Sequence, residues 1–314
     1  MKKYLIEIGL YFLLPATLLA VVSEYSLRKI PNDYAFKNQW LTINSRDVEV
    51  LALGASTVLY DINPQYLNKK GFNAAHLSQS LKYDHFIFHK FINQMPSLEY
   101  VILGIEFWSP FGDIEDSPEW WRVKFYNIHY GSNFHRWQGK YNYELYFKNA
   151  ATFKTAANGL LTIMGLKDES RRTVNDMGYG ANYTLDKRQA NWDNGEFEAN
   201  RHNSIITHAI DKNNIIHNKK YVNDIIRECE KRNIKVLLIN LPLYTSYRNS
   251  QKEEYLTIQK DFCISFDEQY DNVFFYDISN SDYFTEPDYY DANHLNEIGS
   301  KKITLMLDSI IHKK

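Results

Sequence analysis

Residues 48–57 read VEVLALGAST, and the fold turns on how that run begins and ends. A short stretch of Val and Leu without polar alternation is the mark of a strand buried on both faces, as in a parallel sheet. Gly54 closes the run and Ser56 follows two positions later. A serine on the sharp turn from a strand's carboxyl end into a helix presents its hydroxyl above the sheet, where nearby N–H groups can stabilise an oxyanion. Taken alone, Gly-x-Ser after a strand is also a common turn.

Working outward, the same apolar pattern returns at 100–105 (YVILGI), 234–241 (IKVLLINL) and 273–278 (VFFYDI). Helical patterns separate these runs, at 83–93, 218–232, 253–270 and 296–312. In the second, Tyr221, Val222, Ile225, Ile226 and Cys229 share one face; in the last, Ile303, Met306, Leu307 and Ile310 do. Strands alternating with helices predict an α/β fold, a parallel sheet with helices on both faces. The site then lies beyond the carboxyl ends of the strands. Between about 112 and 200 the alternation fails. That stretch holds Trp120, Trp121, Trp137 and Trp192 and reads as an aromatic-rich insertion, partly helical over 143–164.

Composition narrows the class. The 314 residues are 44% hydrophobic and 24% charged, with a net charge of -2, so no basic excess points to nucleic acid. The 24 Tyr, 18 Phe and 6 Trp suit a carbohydrate-facing surface, and equally a tyrosine-rich core. Lys2 and Lys3 precede a nearly continuous apolar run over 4–22, about 28 Å as a helix and enough for the hydrocarbon core. A cleaved signal peptide is the rival reading, but no A-x-A site follows. The expectation is therefore a single-pass anchor over 1–24, a connector over 25–46, and a domain over 47–314 outside the cytoplasm. Cys229 and Cys263 are far apart, and two buried free thiols are expected over a disulfide. His76, His85, His89, His129 and His135 form no metal-ligand spacing, and no cofactor is expected.

The second motif is Asp291-Ala292-Asn293-His294-Leu295-Asn296. A carboxylate three residues ahead of a histidine can bind one ring nitrogen and fix the tautomer, leaving the other as a base. An Asp or Asn cap on the last helix, with His294 on the surface, would look the same. Together, Ser56 near the start and D-x-x-H near the end make a chain that resembles the SGNH/GDSL hydrolase superfamily. GASTVLYDINP (54–64) looks like that superfamily's first block and YYDANHLNEIGSKKIT (289–304) like its last. The resemblance is closest to membrane-anchored SGNH-like proteins of bacterial surface-polysaccharide loci, relatives of the D-alanine transfer protein of teichoic acids and the alginate acetylation proteins. The segments IPNDYAFKNQWL (30–41) and GFNAAHLSQSLKYD (71–84) look like members of the same kind.

This resemblance implies a three-layer, flavodoxin-like fold and a triad of Ser56, His294 and Asp291. It implies ester chemistry, as an O-acetyltransferase or acetylesterase, with a surface polysaccharide or acyl donor as partner. The middle blocks depart from the pattern. Ser78 stands where an oxyanion-hole glycine is usual, and Glu106 where an asparagine donor belongs. A carboxylate repels an oxyanion, so Asn73 is a candidate replacement donor, or Glu106 a partner for a cation such as Arg122. Tyr244, after a strand, and Trp108 are expected to line the pocket. A non-catalytic glycan-binding or assembly protein is the alternative that Glu106 supports.

Overall fold

The computed structural model describes residues 4, 7, 9–146, 150–209 and 213–313. Lys2 and Lys3, the basic start of the expected anchor, lie outside the described residues. Two compact units emerge, 1–38 with 121–172, and 39–120 with 173–314.

In the first unit, α1 (Leu14–Lys29) continues a π-helical turn at Gly9–Leu13. Together they make one 21-residue helix, long enough to cross a membrane, whose most apolar 18-residue window has a mean hydropathy of 1.5. Pro15 lies inside this helix and has no N–H to give the preceding turn, and that turn is the π-helical one. The residues read as a polar connector are also largely helical, since α1 runs on to Lys29 and α2 follows at Asp33–Asn44. In α5 (Ala150–Ile163), Gly159 lies so close to α1 that an added Cβ would stand 2.8 Å from the Ser26 hydroxyl.

The second unit is built on five strands, β1 (Val50–Leu53), β2 (Gly71–Asn73), β3 (Tyr100–Gly104), β4 (Lys235–Asn240) and β5 (Val273–Asp277). Their order is β2-β1-β3-β4-β5 and every pairing is parallel. β1 and β3 are buried along their whole length, which is why their sequences carry no polar alternation. β5 is an edge and is only part-buried. β2 has three residues and no apolar run, so no periodicity could announce it.

The helices of this unit are α3 (Ser56–Asp61), α4 (Leu81–Phe91), α6 (Gly195–Ala209), α7 (Asn214–Glu230), α8 (Glu253–Asp267) and α9 (Glu297–Lys313). α4 packs on α7, and α9 on α3, giving a helical layer on each side of the sheet. Asn63 and Asn68, in the loop after α3, donate backbone N–H bonds to Thr304 and Asp308 of α9 (3.0 and 2.8 Å). These bonds tie the chain's last helix to its first block. A hairpin of β6 (Tyr289–Asp291) and β7 (His294–Leu295) precedes α9. Cys229 and Cys263 are both buried free thiols.

Candidate active site

β1 ends at Gly54, whose φ of +144° lies where side chains are strained. A Cβ there would meet the Val58 side chain at 2.5 Å, and one on Gly104 would meet it at 2.3 Å. Val58 thus wedges between the ends of β1 and β3, and only glycines leave room for it. The turn makes Ser56 the first residue of α3, a position whose N–H has no partner within the helix.

From the other end of the chain, the β6–β7 turn delivers His294 and Asp291. The Asp291 carboxylate accepts the backbone N–H groups of Asn293 and His294, both at 2.9 Å. It also accepts from the His294 ring, with Nδ1 2.9 Å from Oδ1 and 3.1 Å from Oδ2. Nδ1 must therefore carry hydrogen, and Nε2 lies 2.8 Å from the Ser56 hydroxyl. In the neutral ring Nε2 accepts that hydroxyl's proton. Burial alone would depress the imidazole. The Asp291 charge and hydrogen bond outweigh it, with Asp61 and Glu106 adding to them, and lift the ring to about 9. Burial pushes Asp291 up, but the His294 charge and the three hydrogen bonds leave it below the usual carboxylate range.

Glu106 follows β3 and is enclosed. Oε1 accepts from the Thr57 hydroxyl at 2.7 Å, and Oε2 accepts from the Trp108 indole at 2.5 Å. The Thr57 N–H also donates to it, on the first turn of α3. Burial raises its pKa against these bonds and the His294 charge. Arg122, the cation considered for it, instead stacks on Trp121 in the first unit, 4.3 Å from the ring centroid. Glu106 is thus an acceptor that holds the first turn of α3, just after Ser56.

Asn73 is fully buried and does not serve the pocket. Its amide donates to the carbonyls of Val58 (2.7 Å) and Ile62 (2.8 Å), and its oxygen accepts the Ala75 N–H. No amide hydrogen is left for a substrate oxygen. Ser78 has φ +56°, the left-handed region that glycine tolerates best. Neither its N–H nor its hydroxyl has a partner among the described residues. Ser78 and Trp108 line one cleft with Ser117, Arg201 and His202. Tyr244 packs against Trp192 (centroids 4.6 Å) and Tyr289 (5.3 Å).

Three contributors have no motif to announce them. Asp61 closes α3 and accepts the Leu295 N–H at 2.9 Å, bracing the strand that carries His294. Its other oxygen is buried without a partner, and burial raises its pKa well above normal against the His294 charge and that N–H. The one available hint is a lone carboxylate in the apolar run VLYDI. Tyr183, from the segment read as an insertion, lies between Tyr60 (3.6 Å) and Tyr290 (3.9 Å) with its edge against His294. His202 lines the cleft with Nδ1 2.6 Å from the Tyr247 hydroxyl; burial, with Arg201 and His294 adding to it, depresses its pKa to about 3.

No family model and no curated protein matches the chain. Among solved structures, it is similar to a candidate acylhydrolase from Bacteroides fragilis, at 9% identity and TM-score 0.41, covering 89% of this chain and 94% of that one. It is also similar to a candidate platelet activating factor from Streptococcus pneumonia, at 12% identity and TM-score 0.40, covering 98% and 99%.

Proposed function

We propose that the chain is a membrane-anchored, SGNH-type enzyme that moves an acyl group, most simply acetyl, on a cell-surface polysaccharide. The observation that carries this reading is the hydrogen-bonded series Ser56 Oγ, His294 Nε2, His294 Nδ1, Asp291 at 2.8 and 2.9 Å. In the reaction, Ser56 Oγ attacks the ester carbonyl as neutral His294 takes its proton. The N–H groups of Ser56 and Ser78 face the oxyanion. Collapse breaks the ester bond, the leaving alkoxide takes the proton from His294, and Ser56 holds the acyl group. Water, or a sugar hydroxyl, then gives a proton to His294 as it attacks the acyl-serine, and Ser56 regains that proton. Water as acceptor makes an esterase and a sugar makes an O-acyltransferase. Anchoring through α1 is supported by the helix's length and hydropathy; Lys2 and Lys3 ahead of it favour the second unit outside the cytoplasm, which suits a surface glycan.

One observation favours a second reading, a glycan-binding or assembly protein. Glu106 and Asn73 offer no side-chain donor to an oxyanion, because one only accepts and the other is spent. A fluorophosphonate probe separates the two. The enzyme reading expects covalent labelling of the wild type that Ser56→Ala abolishes, together with acetyl-ester turnover falling by roughly 10⁵-fold or more and an unchanged thermal midpoint. A wild type that neither labels nor turns over, yet binds polysaccharide equally well as Ser56→Ala, supports the binding protein.

A further inference from the structure

The first unit carries an apolar groove of about 880 Å³ along the carboxyl-terminal half of α1. Ala16, Leu19, Ala20 and Val21 form its floor, and Leu145, Tyr146 and Phe153 its facing wall. The two alanines give it depth.

The groove is held open by specific bonds. The Glu24 carboxylate accepts the backbone N–H groups of Glu144 (3.1 Å) and Leu145 (3.0 Å), pinning the wall segment to α1. The Ser26 hydroxyl donates to the Ala156 carbonyl, and Gly159 lets α5 approach closely. At the rim, Arg28 donates to Glu24 Oε1 and to the Asn142 carbonyl, both at 2.7 Å, and lies over the Tyr143 ring.

Three features say what fills it. From Ala16 to Arg28 is about 18 Å of helix, close to the ~15 Å depth of one leaflet's hydrocarbon. Tyr25 and Tyr143 stand with Glu24 and Arg28 at one end, as aromatic and charged residues do at a membrane interface. Apolar surface continues beyond the groove on Leu10, Phe12, Leu14 and Leu18 of the helix, all more than half exposed.

We propose that the groove holds one acyl chain of a bilayer phospholipid, its phosphate end at Arg28 and its methyl end toward Ala16. This rests on α1 lying in a membrane. The full chain is reconstituted into phosphatidylcholine–phosphatidylglycerol vesicles containing a phosphatidylcholine with a photoreactive diazirine on one acyl chain. Illumination should label the peptides bearing Tyr146 and Phe153 as well as those bearing Leu10 to Leu14. Ala20→Trp fills the groove and should cut labelling at Tyr146 and Phe153 several-fold while leaving Leu10 to Leu14 unchanged; Leu19→Trp serves if the first variant does not fold. Labelling of Leu10 to Leu14 without Tyr146 and Phe153, or labelling there that neither variant lowers, overturns the groove and leaves the anchor standing. Release of the wild type by alkaline carbonate, without label, overturns both.

Discussion

Two carboxylates flank the Ser56–His294 pair, and they are held in opposite ways. Asp291, on the β6–β7 turn, meets two backbone N–H groups and the imidazole, which together keep it ionised. Glu106, on the turn after β3, is enclosed with a hydroxyl, an indole and one N–H, and burial drives its pKa the other way. The difference is one of environment and not of chemical type. Asp291 orients and charges the histidine, whereas Glu106 supports the first turn of the helix that begins at the serine.

Removing the charge of Asp291 is the largest disturbance to this contrast. Asp291→Asn should cut acyl turnover roughly 10³- to 10⁴-fold, because the amide no longer enforces the tautomer. In the wild type, turnover should climb with pH until His294 loses its proton at about 9. In the variant that limb should move to lower pH, because the charge that raised the ring is gone. Stability carries the same signature. The imidazole's contribution is full below its unfolded value of 6.5 and is lost as pH rises through about 9. That of Asp291 is full above 3.8 and is lost as pH falls through its depressed folded value. Thermal midpoints across this range check both signs, and a pH–rate limb that Asp291→Asn leaves in place breaks the account.

Glu106 is the next lever. Glu106→Asn is one methylene too short to reach both Thr57 and Trp108, and should cost about 1–3 kcal/mol of stability by stranding buried donors. Turnover should fall with it. Glu106→Gln keeps the length and one acceptor and should lose less. Chemical denaturation alongside ester kinetics reads both. A rise in turnover for Glu106→Asn would mean that an amide there reaches the oxyanion, and that the carboxylate merely occupies a donor's place.

The smallest effect is expected at Asp61. Burial raises its pKa well above the usual carboxylate range, and Asp61→Asn preserves the acceptor for the Leu295 N–H, so it should shift stability by less than about 1 kcal/mol. Asp61→Ala strands that N–H and should cost about 1–3 kcal/mol. A large loss for Asp61→Asn would show that the acid is ionised, a third carboxylate held like Asp291.

Much of this was legible beforehand because it is local. The strands β1, β3 and β4, buried along most or all of their length, and the part-buried edge β5 announce themselves by apolar runs, and the last helix by its spacing. Gly54 before Ser56 and Asp291 before His294 are turn chemistry, written within a few residues of each other. The tripeptide β2 was not legible as a strand, since three residues carry no period. Glu106 stood out as anomalous, but its partners did not, because Thr57 lies 49 positions away.

By itself, then, the sequence determined the alternation of strands and helices, the apolar first helix, and which side chains stand at the two turns. Those properties depend on neighbours within one element. Only the tertiary structure decided that Asn73 spends its amide on α3 and its own loop, that Asp61 braces the strand of His294 across 234 positions, and that Tyr183 stacks beside the imidazole. Hydrogen-bond partners and ring contacts between distant segments are set by how the layers pack, and no local pattern of residues encodes that packing.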